Sequence, residues 1–346
     1  MKIGDIAKVQ GGYAFKSSKF VNQGIPLIRI GNINDEKVSI NNDICYSEEF
    51  WDSHPEFRVN QGSILVAMSG ATVGKIGIYE ARDRALLNQR VGNIIPDKNL
   101  VIKDFLYYYC TSPVFKQYIE ANAFGCAQPN ISAKQIEEFE INVPSLIQQK
   151  KIVDILQKLD CIINIRKEQL KYYDKLVKSQ FVEMFGDPIS NSKDLKTVKM
   201  EKACFLKAGI TTSAEDIHDQ SKEYTVPCYG GNGIRGFVKK ATQHGIYPII
   251  GRQGALCGNV QLAFGDFHAT EHAVLVRPLL EQNEIWLYYL LKLMDLYRYH
   301  TGAAQPGLAV KTLNMLDIII VDKKKQDQFA TFVQQIDKSK YYIQKK

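Results

Sequence analysis

A phrase repeated 177 positions apart constrains this chain more than any other feature. Residues 127–136 read AQPNISAKQI and residues 304–313 read AQPGLAVKTL. In that register Gly125 falls on Gly302, Ala127 on Ala304, Gln128 on Gln305, Pro129 on Pro306 and Lys134 on Lys311. With no gap, Ile141 then meets Ile318, Gln149 meets Gln326, Gln157 meets Gln334 and Asp160 meets Asp337. Apolar character is kept where identity fails: Ile131 with Leu308, Ile136 with Leu313, Val143 with Ile320, Ile152 with Phe329. Upstream the echo is fainter and needs small gaps. SGATVGKIGI (69–78) aligns with RQGALCGNVQ (252–261), NQRVGNIIP (88–96) with TEHAVLVRP (270–278), and DFLYYYC (104–110) with IWLYYLL (285–291). A period this long marks a duplicated domain rather than a solenoid, and 346 residues leave room for two domains of ordinary size.

Each copy reads the same way. Short β-branched and aromatic runs broken by Gly, Asn and Pro (IPLIRIGNIN, SILVAMSG, VGNIIP; then YTVPCYGGNG, GIYPIIGRQG, AVLVRP) predict short strands and turns. A Tyr-rich helix is expected at 104–120 and at 284–298. After the AQP phrase, Ser132 and Gln135 form a capping box that opens a short helix. A strand follows (FEINVP, LDIIIV), and then a long segment of helical spacing. From Leu156, the positions Leu156, Ile163, Leu170, Val177 and Met184 recur every seven residues, and Ile152, Ile155, Leu159 and Ile162 widen the stripe. With no Pro or Gly between Pro144 and Gly186, a helix over 147–184 would run about 57 Å. The last segment repeats the pattern with Phe329, Val333, Ile336 and Ile343. A long heptad stripe calls for a partner helix, and the economical arrangement pairs these two helices antiparallel. Lys346 corresponds to Gln169, so pairing is expected along only part of the central helix. Gly186 and Pro188 stop the central helix and begin a polar linker. The layout is therefore a first β-rich domain (1–145), a central helix (146–185), a linker (186–194), a second β-rich domain (195–322) and a terminal helix (323–346).

Charge adds little. The net +7 is concentrated in residues 323–346, which carry 7 basic and 2 acidic side chains; residues 1–145 carry 15 and 16, and residues 195–322 carry 13 and 12. A nucleic-acid surface must then be local. No run approaches the 18 apolar residues of a membrane span, and the start MKIGDIAKVQGG has no apolar core of a signal peptide. The seven cysteines (45, 110, 126, 161, 204, 228, 257) are scattered and never spaced C-x-x-C. That predicts packed free thiols in a reducing, cytoplasmic compartment and no cysteine-based zinc site.

This α+β layout resembles the specificity subunit of type I restriction-modification systems over nearly the full length. IGDIAKVQGG, IPLIRIGNIN and QPNISAKQIEEFEINVPSLIQQKKIVDILQKLD carry the resemblance in the first half, and YGGNGIRG, ATEHAVLV and KKKQDQFATFVQQID in the second. No one motif is specific; the order, the duplication and the two glutamine-anchored helix starts (Gln149, Gln326) are. The resemblance implies two target recognition domains, each reading one half of a bipartite, asymmetric site in double-stranded DNA. The paired helices would act as a coiled-coil spacer that sets the gap and docks two methyltransferase subunits, which restriction/translocase subunits join in phage defence. Catalysis, with S-adenosylmethionine, ATP and Mg, would belong to those partners. This chain would hold no cofactor or metal and catalyse nothing alone. Helix pairing and partner docking would fall to Ile152, Leu156, Leu159, Ile163, Leu170, Val177, Met184, Phe329, Val333 and Ile336.

Three motifs point elsewhere and fail. GNGIRG (231–236) satisfies G-x-G-x-x-G, but a turn and strand follow it where a dinucleotide site needs a helix. GATVGK (70–75) is one residue short of a phosphate loop, and Ile76 replaces the required hydroxyl residue. HATEH (268–272) spells H-x-x-E-H, but its surroundings alternate like a strand ending at Pro278 and offer no third ligand. Methyl-donor and nuclease signatures are also missing from the sequence.

Bases are read by Arg, Lys, Asn, Gln, Ser and Thr at groove edges. Polar residues at strand ends and Gly-rich turns are therefore the candidates: Lys16, Arg29, Asn32, Ser69, Thr72, Lys75, Gln89 and Arg90 in the first domain; Tyr229, Asn232, Arg235, Lys239, Arg252, Gln253, His268 and His272 in the second. The same residues would serve equally as ordinary turn residues. The AQP phrases are expected to hold each domain against its helix, and to repeat because the joint repeats. Two rival readings remain: a coiled-coil adaptor that binds no DNA, and an enzyme built on the His-Glu-His stretch.

Overall fold

The computed structural model describes residues 1–34, 36–40, 44–123, 129–302 and 306–345. Gly125, Cys126, Ala127, Gln128, Ala304 and Gln305 of the repeated phrase lie outside the described residues. The chain divides into two compact units, Met1–Ile163 and Asn164–Lys346.

The first unit is built on a six-stranded sheet in the order Ala7–Gly11, Val91–Pro96, Ile64–Ala67, Ile76–Ile78, Glu36–Val38, Ile33–Asn34. Strand Ile64–Ala67 (ILVA) is buried on both faces, and its period-2 alternation divides two cores. Ile64 and Val66 face the helices, against Phe105, Leu106, Phe115 and Ile119. Leu65 and Ala67 face Ile28, Val59 and Leu87. Residues Ile28, Val59 and Leu87 lie on a second, four-stranded sheet ordered Cys45–Tyr46, Ile25–Ile28, Ala85–Leu87, Arg58–Val59.

The second unit repeats the first four strand positions in the same order: Cys204–Ala208, Ala273–Pro278, Gln243–Gly251, Val260–Ala269. The two-core division recurs with them. Ile250, Val274 and Val276 join the helical core, while Ile249, Ala273 and Leu275 join the other. The resemblance ends at the sheet margin. Here the hairpin Val226–Gly230/Gly233–Val238 extends the sheet, and the other described strands of the unit, Thr197–Lys199 and Asp317–Ile319, form a two-stranded ribbon.

Several local expectations are revised. The Tyr-rich helices are shorter: Lys103–Cys110 breaks before Pro113–Ala123, and Glu284–Leu293 ends near Asp295, which is left-handed at φ 49°. FEINVP makes only a bridge, Lys2 with Glu140. HATEH is not one strand; the chain turns at Glu271–His272 between strands ending at Ala269 and starting at Ala273. The upstream repeat carries its small gaps: left-handed Gly70 and Gly74 correspond to left-handed Gly254 and Gly258, an offset of 184 that aligns GATVG with GALCG. Cys161, expected among packed thiols, is exposed, whereas Cys110, Cys204, Cys228 and Cys257 are buried.

The central helix spans Leu146–Phe185, and Gly186 follows it at φ +79°. Its last part belongs to the second unit. There Val177, Phe181 and Phe185 pack with Trp286, Phe329, Val333 and Ile336. Phe181 meets Phe329 edge-on at 5.3 Å, and Lys340 Nζ reaches Asp174 Oδ1 at 2.6 Å. Numbers rise on one helix as they fall on the other, so Lys323–Lys345 runs antiparallel to this stretch. The heptad expected to form one seam is covered unevenly: Val177 is buried, Leu156, Leu170 and Met184 are half-buried, and Ile163 is exposed. The buried row in the last three turns is Val177, Phe181 and Phe185, a spacing of four, because the terminal helix covers that face.

Each helix start is anchored by a fully buried glutamine. Gln149 accepts from the Ile102 N–H at 2.8 Å and donates to the carbonyls of Pro144 (2.8 Å) and Leu100 (3.1 Å). Gln326 accepts from the Asn283 N–H at 2.8 Å and donates to the Val321 carbonyl at 2.9 Å. A buried amide without partners is costly; here each one instead ties a helix start to the preceding Tyr-rich helix and to the strand exit. A second pair repeats too. Tyr108 donates to Asp160 at 2.6 Å, and Tyr289 lies in the field of Asp337. Burial first, and then the neighbouring carboxylate, pushes both phenols above their ordinary range.

Candidate nucleic-acid interface

In each unit a Gly-rich loop leaves the third strand of the sheet and is held by main-chain bonds to the AQP proline and to the residue two positions after it. Gly70 N–H donates to the Pro129 carbonyl, and Gly254 N–H to the Pro306 carbonyl, both at 2.9 Å. Ile131 N–H reaches Met68 O at 2.9 Å, as Leu308 N–H reaches Arg252 O at 2.8 Å. Gly74 closes its loop on Ala67, and Gly258 closes on Gly251. The glycines at φ +78° to +82° supply the left-handed turns this path needs. A Cβ at Gly74 would fall 2.8 Å from Ile119, and one at Gly258 would fall 2.5 Å from the Tyr297 backbone. The AQP phrase therefore joins the loop of the sheet to the following short helix, which Ser132 and Gln135 cap reciprocally in the first unit.

The loops gather some of the candidate residues. In the first unit Met68 N–H binds the Arg90 carbonyl, which sets Gln89 and Arg90 beside the loop, both exposed. Ile30, next to exposed Arg29, packs on Gly70. Ser69 Oγ and Thr72 Oγ1 are shielded from water and have no partner, a cost of about 1–3 kcal/mol each unless a ligand accepts or donates there. Lys75 instead lines the cleft between the loop and helix Pro113–Ala123, with Lys116 and Glu120. Lys16 is exposed beside a short helical turn. In the second unit one concavity is lined by Asn232, Arg235, Gln253 and His272 together with Gly230–Gly233 and Gly254. Asn232 accepts a hydrogen bond from Asn259 at 2.6 Å. His272 Nε2 lies 3.1 Å from Glu271 Oε1.

Other candidates are committed inward. Asn32 is buried and accepts from the Arg29 N–H at 2.8 Å, so it closes a turn. Tyr229 is buried edge-on against Phe267 at 5.6 Å. His268 is buried between the Thr212 and Thr242 hydroxyls at 2.8 and 3.0 Å. Burial lowers its pKa against the opposing pull of Glu271, so it is neutral near pH 7. Arg252 turns toward the Glu271 carbonyl at 3.4 Å, and its shielded Nε has no partner. Lys239 is exposed instead, pairs with Glu223 at 2.6 Å and does not line the concavity. One basic–aromatic group was not singled out from the sequence: Arg58 and Arg84 lie over Trp51 at 4.8 and 5.7 Å. Its members are distant in sequence, so no local pattern marks them. Among the described residues no cluster of three His, Cys, Asp or Glu could hold a metal, and no helix is long and apolar enough to cross a membrane.

Two copies of one sheet, each locked to its following helix by the same main-chain joint and the same buried glutamine, define a duplicated α+β protein, with an antiparallel helix pair in its second unit. The Type I restriction modification DNA specificity domain matches residues 1–172 and again 192–346, and the chain belongs to that family. It is 33% identical over 301 residues to the Type I restriction enzyme EcoprrI specificity subunit of Escherichia coli, covering 80% of this chain and 71% of that one. The MjaVIII specificity subunit of Methanocaldococcus jannaschii is 28% identical over 182 residues, which span 51% of this chain and 43% of that subunit. The fold is shared with the crystal structure of the type I restriction-modification S subunit from M. genitalium, at TM-score 0.59 and 16% identity, over all of this chain and 90% of that one.

Proposed function

We propose that this chain is the non-catalytic, DNA-reading component of a cytoplasmic type I restriction-modification complex. Each unit contacts one half of a bipartite, asymmetric site in double-stranded DNA, and the helices set the separation of the halves. One observation carries the reading: the two Gly-rich loops share one main-chain frame yet present different side chains. Arg29, Gln89 and Arg90 surround the first; Asn232, Arg235, Gln253 and His272 surround the second. A constant frame with different donors and acceptors suits the reading of two different base sequences.

In this reading methyltransferase subunits dock on the spacer, where Ile162, Ile163, Ile165, Tyr172 and Leu176 are exposed. Restriction/translocase subunits join through them, and S-adenosylmethionine, ATP and Mg serve those partners. The test is methylation mapping in a host that expresses the chain with its methyltransferase. A two-part motif with unlike halves is expected. No methylated motif, or one continuous motif, would overturn the reading, and absence of any salt-dependent shift on duplex DNA by the assembled pair would favour the adaptor alternative.

A further inference from the structure

One position in the shared loop frame has opposite hydrogen-bonding character in the two units. Met68 N–H binds the Arg90 carbonyl at 2.9 Å, and Arg252 N–H binds the His272 carbonyl at 2.9 Å. The matching letters are NQR (88–90) and TEH (270–272). Arg90 can only donate. A histidine can donate or accept, and the partner of its other ring nitrogen decides which.

That partner is fixed in the second unit. His272 Nε2 lies 3.1 Å from Glu271 Oε1, and a carboxylate only accepts, so Nε2 carries the hydrogen. In the neutral ring Nδ1 is then an acceptor, and among the described residues it has no hydrogen-bond partner. The ring lines the concavity with Arg235 and Gln253. Glu271 is itself held, since its Oε2 accepts from the Thr212 N–H at 3.2 Å. Thr212 Oγ1 donates to the Ile210 carbonyl at 2.8 Å and so accepts from His268 Nε2 at 2.8 Å. The H-x-x-E-H stretch thus works as a chain of supports: His268 steadies Thr212, Thr212 orients Glu271, and Glu271 sets the tautomer of His272.

We infer that His272 reads a base amino group, adenine N6 or cytosine N4, through Nδ1, and that Glu271 is the positioning residue that makes it an acceptor. A transition at that base pair puts guanine O6 or thymine O4 where the amino group was, and either oxygen repels an acceptor. At the same frame position Arg90 demands an acceptor base, so the two half-sites differ there in kind. The base contact rests on the DNA-reading proposal, whereas the tautomer is tested without DNA.

Glu271→Gln is the informative variant. The Thr212 N–H keeps the amide oxygen on its own side, which turns the amide NH2 toward His272. Nε2 must then accept, and the hydrogen moves to Nδ1. The tautomer is read by 15N NMR of the full chain labelled at histidine, at about pH 8, where imidazole is ordinarily neutral, with His272 assigned from His272→Gln. A protonated Nε2 and bare Nδ1 are expected in the parent chain, and the reverse in Glu271→Gln. The other tautomer or a doubly protonated ring in the parent chain overturns the inference, as does an unchanged tautomer in the variant. Base preference is read by competition binding of the chain with its methyltransferase, using duplexes that carry each transition in turn across the mapped target. The parent should favour the amino base about tenfold at one base pair, and Glu271→Gln should reverse that preference. An unchanged preference, or equal weakening on every duplex, overturns the base contact. Failure to bind any duplex, with the tautomer as expected, would overturn the DNA-reading proposal and the base contact with it.

Discussion

The two units treat one helical motif in opposite ways. Around Lys323–Lys345 the second unit assembles Phe181, Phe185, Trp286, Tyr289 and Phe329 into an aromatic cluster with ring centroids 5.0–6.5 Å apart. Around Leu146–Ile163 the first unit keeps the glutamine clamp and the Tyr–Asp pair but leaves the outer stripe to solvent. The contrast separates two jobs that sequence similarity merges. The clamp attaches the helix to its own sheet in both copies; the outer stripe is covered by another helix in the second unit and is exposed in the first.

The largest expected effect tests that division directly. Phe329→Ala should cost the second unit about 3–5 kcal/mol, the loss typical of a buried aromatic, while Ile152→Ala should cost the first under about 1 kcal/mol. The chain has two tryptophans, Trp51 and Trp286, one in each unit. Urea unfolding followed by fluorescence in Trp51→Phe and Trp286→Phe backgrounds therefore reads the units separately. Equal losses would erase the distinction. Next in size, Gln149→Leu and Gln326→Leu should each cost about 2–3 kcal/mol, because each leaves a buried N–H and at least one carbonyl without a partner. Unequal costs would show that the two clamps are not equivalent. Smaller still, Arg235→Ala should weaken recognition of one half-site by about 1–3 kcal/mol, and Arg90→Ala should act on the other half alone. Competition binding with DNA altered in one half at a time measures this. A uniform loss on all DNA would mark phosphate contacts instead.

What could be read from the letters was whatever is encoded locally and densely. The ungapped register from Pro129 to Asp160 spans the joint, the short helix and the helix start, where each residue's role depends on near neighbours; Ser132 and Gln135 form the expected capping box. Upstream, the same strands recur at offsets of 197, 184 and 182, because loops of different length intervene, and there the letters match only with gaps. The four-stranded sheet of the first unit escaped notice because two of its strands are only two residues long, too short to show a period. Side-chain direction was the weakest point. Asn32, Tyr229 and His268 sit at strand ends and turns, as base-reading residues do, yet each is drawn inward by a partner distant in sequence or by a turn hydrogen bond. The gathering of Asn232, Arg235, Gln253 and His272 depends on hairpins meeting in space, which no linear spacing reveals.

The joint between loop and short helix has a consequence for how such a protein can change over generations. Its bonds run from amide to carbonyl, and beyond the left-handed glycines and the buried Ile131 and Leu308 they place no demand on the exposed side chains beside them. Mutations at the exposed tips can accumulate, or whole heads can be exchanged by recombination at the joint, without rebuilding the hinge beneath. A lineage under pressure to recognise new invaders would find in that indifference a cheap route to novelty.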